Sequence, residues 1–146
     1  MRCDVSQSLG SDVFVQMKYR GYLDPKTQFK QGLLMNDEGK QLQIKKVFPE
    51  NTDEHVDVYL QYAHVVAVDD QLKCDPAVIL GFDLKQQKVY PVQYRNDLLD
   101  HSIHVYENGE LNEDNAEWLM NYWCDWFKEL EADDYDFLDE AQLMTG

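Results

Sequence analysis

Apolar and polar residues alternate over several short segments in the first third of the chain. The alternation covers residues 13–19, 29–35 and 41–48, and a period of two residues is typical of a β-strand with one buried face. A turn-rich connection at residues 36–39 ends in glycine, which tolerates the positive φ that tight turns require. The pattern therefore predicts a three-stranded antiparallel meander.

A longer β-rich run follows at residues 55–68. Its last four residues, 65–68, are all apolar, which is typical where a strand becomes central in a sheet or contains a bulge. Residues 77–82 and 88–94 predict a further hairpin, and residues 103–106 predict a short final strand. This part of the chain is thus expected to be mainly β-structure.

The hydrophobic period changes to that of a helix after the turn at Asn108-Gly109. Asn112 or Asp114 can cap the helix, and acidic residues follow in its first turn, where the helix dipole favours them. Apolar residues then recur at three- and four-residue spacing and form one face: Ala116, Leu119, Met120, Trp123, Phe127 and Leu130. The segment 133–146 predicts either a short second helix or a loosely attached tail.

The composition is that of a folded domain of ordinary size. The chain has 146 residues, of which 44% are hydrophobic, including nine Tyr, six Phe and three Trp. A chain of this length can bury a core without covalent cross-links. With the patterns above, this predicts a single acidic α+β domain over residues 1–146: an antiparallel β-sheet of about five to seven strands packed by a C-terminal amphipathic helix.

The net charge limits the kinds of partner that this chain can bind. Lys and Arg number 13 against 28 Asp and Glu, which gives a net charge of −15 and an isoelectric point near 4.4. A field of this sign repels phosphate backbones and anionic lipids, so we expect no direct binding to nucleic acid or to a membrane. The expected partner is a basic protein surface.

The negative charge is concentrated towards the C-terminus. Residues 101–146 contain thirteen acidic residues and a single basic one, Lys128. Eight carboxylates fall within sixteen residues: Asp125, Glu129, Glu131, Asp133, Asp134, Asp136, Asp139 and Glu140. As a helix, this segment would span about 24 Å, with roughly 3 Å per charge, close to the roughly 3.4 Å axial spacing of phosphates along one DNA strand. We therefore predict a partner-binding surface that can occupy a basic nucleic-acid groove; the alternative is a solvated face that only keeps the protein soluble.

The helix also carries aromatic residues beside its apolar face. Trp118, Tyr122 and Trp126 are spaced four residues apart, and this stripe is displaced from the core face, with Trp126 at its border. An exposed Trp and Tyr stripe is typical of interface hot spots, so we predict that these residues bind a partner or a second copy of the chain. The alternative is that a second layer, such as the segment around Phe137 and Leu138, covers them internally.

Two histidines are the strongest candidates for chemistry. His101 and His104 form an HxxH pair with Asp97 and Asp100 just upstream, and on a helix this spacing could begin a metal site. The flanking residues favour a strand instead, in which positions i and i+3 face opposite sides. The sequence has none of the familiar serine-hydrolase, metalloprotease or nucleotide-binding motifs. We therefore expect a protein that is not an enzyme, with no catalytic residue, metal site or cofactor.

The cysteines and the N-terminus bear on the location of the protein. The three cysteines, Cys3, Cys74 and Cys124, are far apart in the chain, and no two of them form a CxxC motif. Their spacing therefore implies neither a disulfide framework nor a zinc site. The first residues lack the apolar core of a signal peptide, and no apolar run is long enough to span a membrane. We therefore expect cytoplasmic residence.

Part of the chain resembles a known family. The segments VYLQYAHVVAVDDQLKCDPAVILGFD and VYPVQYRNDLLDHSIHVYENG, followed by a helix with tryptophans, carry the resemblance. In particular, residues 42–130 are similar to small uncharacterised domains encoded on plasmids, integrative elements and phages, through Asp75-Pro76 and the Pro-x-x-Tyr-x-Asn-Asp segment at 91–97. The turn at 69–71 departs from that pattern because it lacks a glycine, and Val78 stands where a bulkier residue is usual. The resemblance implies an α+β fold and a mobile-element setting, where small acidic proteins often inhibit host defence nucleases, and it implies no known reaction.

Three functional hypotheses follow. The leading one is a non-enzymatic acidic protein that docks on a basic protein surface; its specific form is a mobile-element inhibitor of a host defence nuclease, a nucleic-acid mimic of the anti-restriction or anti-CRISPR type. The second is a homo-oligomeric structural or regulatory domain, for example a homodimer formed through Trp118, Tyr122 and Trp126. The third is a small enzyme or metal-binding protein that uses His101 and His104.

Overall fold

The part of the chain that can be described is central and C-terminal. A computed structural model describes six segments: residues 31–35, 40–49, 56–86, 88–107, 109–132 and 136–137. The strand predicted at residues 13–19 and most of the tail after residue 132 lie outside these segments.

The described segments form an α+β fold, as the sequence predicts. The elements are β1 (Gln31–Met35), β2 (Gln41–Lys46), β3 (Val58–Val68), β4 (Gln71–Asp83), β5 (Lys88–Asn96), β6 (His101–His104), β7 (Tyr106–Glu107), β8 (Glu110–Leu111), helix α1 (Glu113–Ala132) and β9 (Asp136–Phe137). Within the described residues, one antiparallel sheet has the order β6-β5-β4-β3-β2-β1-β9, and the short β7 and β8 pair separately. Strands β1 to β6 therefore form a simple meander, in which each pairs with its neighbours in sequence.

The core lies between one face of the sheet and α1. Ile44, Tyr62, Val78 and Tyr94 occupy directly opposed positions on β2, β3, β4 and β5, and all four are buried. This row follows from the alternation in the sequence, because every second residue of a strand faces the same side. The buried side chains of α1 that complete this core are Leu119, Trp123 and Trp126.

The start of α1 is fixed by a capping residue. The side-chain oxygen of Asn112 accepts a hydrogen bond from the backbone N–H of Asn115 at 3.0 Å, which satisfies one of the amides that a helix N-terminus leaves without a partner. Of the two caps considered from the sequence, Asn112 is therefore the one used. No helix among the described residues has the length and apolarity needed to cross a membrane.

The hairpin of β3 and β4 is the longest in the sheet. Its two-residue turn, Asp69-Asp70, has positive φ angles of 51° and 65°, which aspartate tolerates better than most residues other than glycine. The register of β3 against β4 shifts between Ala63 and Val65, and this bulge lies where the alternation of the sequence gives way to a continuous apolar run.

Two features differ from what the local sequence suggests. Asp75-Pro76 has the composition of a turn but lies within β4, with a cis peptide bond. Asp136–Phe137 is not helical; it pairs with Leu34 and Met35 of β1.

Candidate functional site

The outer face of α1 is acidic. Five carboxylate side chains along it are exposed, together with one lysine: Glu113, Asp114, Glu117, Asp125, Glu129 and Lys128. The first two lie in the first turn, where the helix dipole favours negative charge, and the last turn has no basic residue. We call this surface the α1 outer face.

The predicted acidic residues are only partly on this face. Asp125 and Glu129 are exposed there. Glu131 lies in the last turn of α1 and Asp136 lies in β9, but the structure does not describe their side chains. The other predicted positions lie outside the described residues: Asp133, Asp134, Asp139 and Glu140.

A continuous helical array of charges from residue 125 to residue 140 is not formed. The helix ends at Ala132, and the chain is extended again at Asp136. The phosphate-like spacing expected for that segment therefore has no basis in a single helix.

Acidic residues at the N-terminal end of α1 were missed by the sequence prediction of the site. A surface depression of about 680 Å³ lies there, and four of its six lining residues are acidic: Glu107, Glu110, Leu111, Asn112, Glu113 and Asp114. The charge count of residues 101–146 already contained these carboxylates. The prediction was based on the run of carboxylates at residues 125–140. It could not show that the turn between β7 and β8 brings the four carboxylates at the start of α1 together in space.

The aromatic stripe of α1 lies over the sheet. Tyr94 of β5 is the centre of a cluster, with its ring centroid 5.2 Å from that of Trp118, 5.1 Å from that of Tyr122 and 5.9 Å from that of His101. At the other end of the stripe, Trp126 packs edge-on against His64 of β3 at 5.1 Å. The interpretation that a second layer covers the stripe is thus partly correct, but the covering layer is the sheet.

Exposure falls steeply along this stripe. Trp118 is 42% exposed, Tyr122 is partly buried and Trp126 is only 4% exposed. The expectation of an exposed stripe is therefore wrong for Trp126, which packs against His64 on the helix-facing side of β3. Trp118 is the member of the stripe that remains available to a partner.

Tyr122 of this cluster is held in its protonated form. Burial raises the pKa of Tyr122 to about 12, and the negative charges of Asp75 and Glu129 act in the same direction, together with the neighbouring hydroxyl of Tyr94. A hydroxyl with this pKa does not ionise near neutral pH, so it serves as a hydrogen-bonding group. The pair of Tyr94 and Tyr122 therefore anchors α1 to β5.

A second polar cluster ties the start of β4 to the end of β5. The carboxylate of Asp97 accepts the backbone N–H of Cys74 at 2.9 Å and the Nε–H of Arg95 at 2.9 Å. The guanidinium of Arg95 also lies 3.4 Å from the Cys74 thiol, which is free. Asn96 donates to Asp75 at 2.6 Å. These groups form hydrogen bonds with one another, which gives Asn96 and Asp97 a structural role at the end of β5.

The histidine pair does not assemble a metal site within the described segments. His101 and His104 are exposed on β6, and a strand places positions i and i+3 on opposite sides. Among the described residues, no three His, Cys, Asp or Glu side chains lie close enough together to hold a metal ion. His101 instead contacts Tyr94.

Comparison with known proteins gives no relative: no family model, no curated protein and no solved structure matches this chain. The class of protein is therefore defined by the fold and the candidate site alone, as an α+β domain with an acidic outer helix.

Proposed function

We propose that this chain is a non-enzymatic binding protein that docks on a basic protein surface through the α1 outer face. The observation that carries the proposal is the ratio of five exposed carboxylates to one exposed lysine on a single helix. The helix has twenty residues and is about 30 Å long, and the exposed carboxylates from Glu113 to Glu129 cover about 24 Å of it. A face of this length and sign accelerates encounter with a surface of opposite charge.

The placement of the charges supports a binding role over a stabilising one. Glu129 lies in the last turn of α1, where a carboxylate is unfavourable to the helix dipole by about 0.3–1 kcal/mol. Asp125 and Glu129 are also four residues apart, and like charges at this spacing repel each other. A helix selected only for stability would carry lysine or arginine at these positions.

The specific partner in this proposal is a nucleic-acid-binding protein, such as a nuclease whose basic channel the α1 outer face occupies. From Glu113 to Glu129, five carboxylates extend over about 24 Å, or about 6 Å per interval. This is sparser than the roughly 3.4 Å axial spacing of phosphates on one strand. The α1 outer face thus resembles nucleic acid in the sign of its charge and in its length. The mobile-element setting rests on the family resemblance of residues 42–130.

We place the activity in the cytoplasm, in keeping with a partner that acts on nucleic acid. Fractionation of the native host tests the assignment. Recovery of the protein outside the cytoplasm would overturn it.

A pull-down from the native host tests the binding proposal. The bait is the wild-type chain at low and high salt, and bound proteins are identified by mass spectrometry. The test variant neutralises three carboxylates of the α1 outer face: Glu117→Gln, Asp125→Asn and Glu129→Gln.

The control variant removes the same charge elsewhere: Asp69→Asn, Asp70→Asn and Asp100→Asn. These three residues are exposed and have positive φ, which asparagine also tolerates. We expect a basic partner that is retained by the control, lost from the helix variant and released by salt. Equal capture by both variants would refute the proposal.

A homodimer is the second candidate function. Trp118 is the observation in its favour, since a large aromatic side chain with 42% exposure is typical of an interface. The burial of Trp126 reduces the self-complementary surface that the sequence suggested. Sedimentation at high concentration decides between the candidates, because a strict monomer excludes the dimer.

A further inference from the structure

Trp118 is exposed and yet rigidly held. Its ring stacks on that of Tyr122, with centroids 5.4 Å apart and planes 18° from parallel, and it meets Tyr94 nearly at a right angle. Tyr94 itself is buried in the core. Two neighbouring rings therefore set the orientation of the indole.

A carboxylate lies next to this exposed ring on the helix. Asp114 is four residues before Trp118, a spacing that places two side chains next to each other on one helix face. Its side chain is exposed. Asp125 is farther away, about 10 Å along the helix and beyond Tyr122. A flat aromatic surface is thus set beside one adjacent anionic group on an acidic helix.

This combination suits a planar cation better than a compact one. A guanidinium can stack on the face of an indole and at the same time donate hydrogen bonds to a neighbouring carboxylate. A lysine ammonium is more strongly hydrated and lacks the plane needed for stacking. The chemistry of the surface therefore distinguishes between the two basic side chains.

We propose that Trp118, with Asp114, forms an arginine-binding position at which a partner's arginine stacks on the indole. This inference rests on the proposed function and names the chemistry of the partner surface. The exposed carboxylates of the α1 outer face attract a basic partner from a distance. The ordered indole of Trp118 then provides specificity for arginine.

Two unstructured peptides of equal charge test the inference: ten arginines interspersed with glycine, and ten lysines in the same arrangement. Affinity is measured at low salt by calorimetry for the wild-type chain, for Trp118→Leu and for Trp118→Phe. Leucine keeps an apolar side chain against Tyr94 and removes the aromatic face. Leu111→Ala is a matched control, because it truncates another exposed apolar residue without touching the cluster.

We expect the wild-type chain to prefer the arginine peptide. Trp118→Leu should lower that affinity by about two- to fivefold, the range that an exposed cation–π contact supports, and leave lysine binding unchanged. Trp118→Phe should give an intermediate value, and Leu111→Ala should match the wild type. Circular dichroism of each variant checks that α1 is intact.

The wild-type chain gives an independent readout, since binding should shift the indole N–H resonance of Trp118 with the arginine peptide more than with the lysine peptide. Equal affinity for both peptides, together with an unmoved Trp118 resonance, would overturn the arginine position and leave the proposed function standing. Failure to bind either peptide at low salt would overturn both.

Discussion

Replacement of Asp97 by asparagine should destabilise the fold by about 2 kcal/mol at neutral pH. The two oxygens of Asp97 accept the backbone N–H of Cys74 and the Nε–H of Arg95, each at 2.9 Å. Asparagine keeps one acceptor oxygen and turns an NH2 group towards the other donor. A hydrogen bond to a charged group contributes about 1.5–3 kcal/mol, and a partly exposed ion pair adds about 0–1 kcal/mol. Because both side chains are about a third exposed, the lower end of the sum applies.

The size of this effect should depend on pH. The backbone N–H of Cys74 and, less strongly, the Arg95 guanidinium hold the pKa of Asp97 below its usual value, although burial acts in the opposite direction. A group whose pKa is lower in the folded state stabilises the fold above its unfolded pKa of roughly 3.9. That contribution is lost as the pH falls through the lower, folded-state pKa. The difference between wild type and Asp97→Asn should therefore be complete at pH 7 and shrink below about pH 4.

Urea denaturation followed by tryptophan fluorescence at several pH values measures both effects. Asp100→Asn is the matched control: it removes the same charge from the same turn, at an exposed position whose positive φ suits asparagine. It should stay within about 0.5 kcal/mol of wild type. If the two variants had equal stability at pH 7, or if the deficit of Asp97→Asn persisted in acid, the structural role assigned to Asp97 would be wrong.

Two further predictions concern local packing and capping, and the same denaturation assay checks both. Asn112→Ala should cost about 1 kcal/mol through loss of the cap to Asn115, whereas Asn121→Ala, at an exposed position within α1, should not destabilise; equal losses would contradict the cap. Gly81→Ala should cost about 1–3 kcal/mol, because a Cβ there would lie 2.9 Å from a methyl group of Val56. Combining it with Val56→Ala should cost less than the sum of the two single changes, and strict additivity would contradict the steric explanation.

Local patterns were sufficient to predict the main elements. The alternation around Ile44 and Tyr62 placed both residues on the buried face of the sheet, and the helical spacing of Leu119 and Trp123 placed them in the core. In each case the side that a residue faces depends only on its position within one strand or helix. The pairing of β1 with β2 and of β4 with β5 followed from short connections in the sequence. The pairing of β2 with β3, which residues 47–57 separate, was not predicted.

Features that depend on distant contacts were not predictable. The burial of Trp126 involves packing against His64 of β3, which is 62 positions earlier in the chain. The strand at Asp136–Phe137 forms because the edge of β1 lies beside it. Asp75-Pro76 has the local composition of a turn, but its strand neighbours hold it in β4. None of these contacts can be predicted from the ten or fifteen residues of sequence around each position.

The candidate site was likewise predictable only in those features that depend on local sequence. Composition alone revealed that the C-terminal third is acidic, and the dense run of carboxylates that begins at residue 125 included Asp125 and Glu129, which are exposed. The rigid setting of Trp118 could not be derived in this way, because it depends on Tyr94, a residue of a strand 24 positions earlier in the chain. The predicted role of the acidic run after Ala132 assumed that the helix continued.

The most direct test of the central claim is the salt dependence of affinity for the captured partner. We predict that the wild-type chain and the variant altered at Asp69, Asp70 and Asp100 lose affinity steeply and equally with added salt, because docking depends on the charges of α1. The variant altered at Glu117, Asp125 and Glu129 should bind more weakly and respond less to salt. Equal affinity and equal salt dependence for the two variants would contradict docking through the α1 outer face.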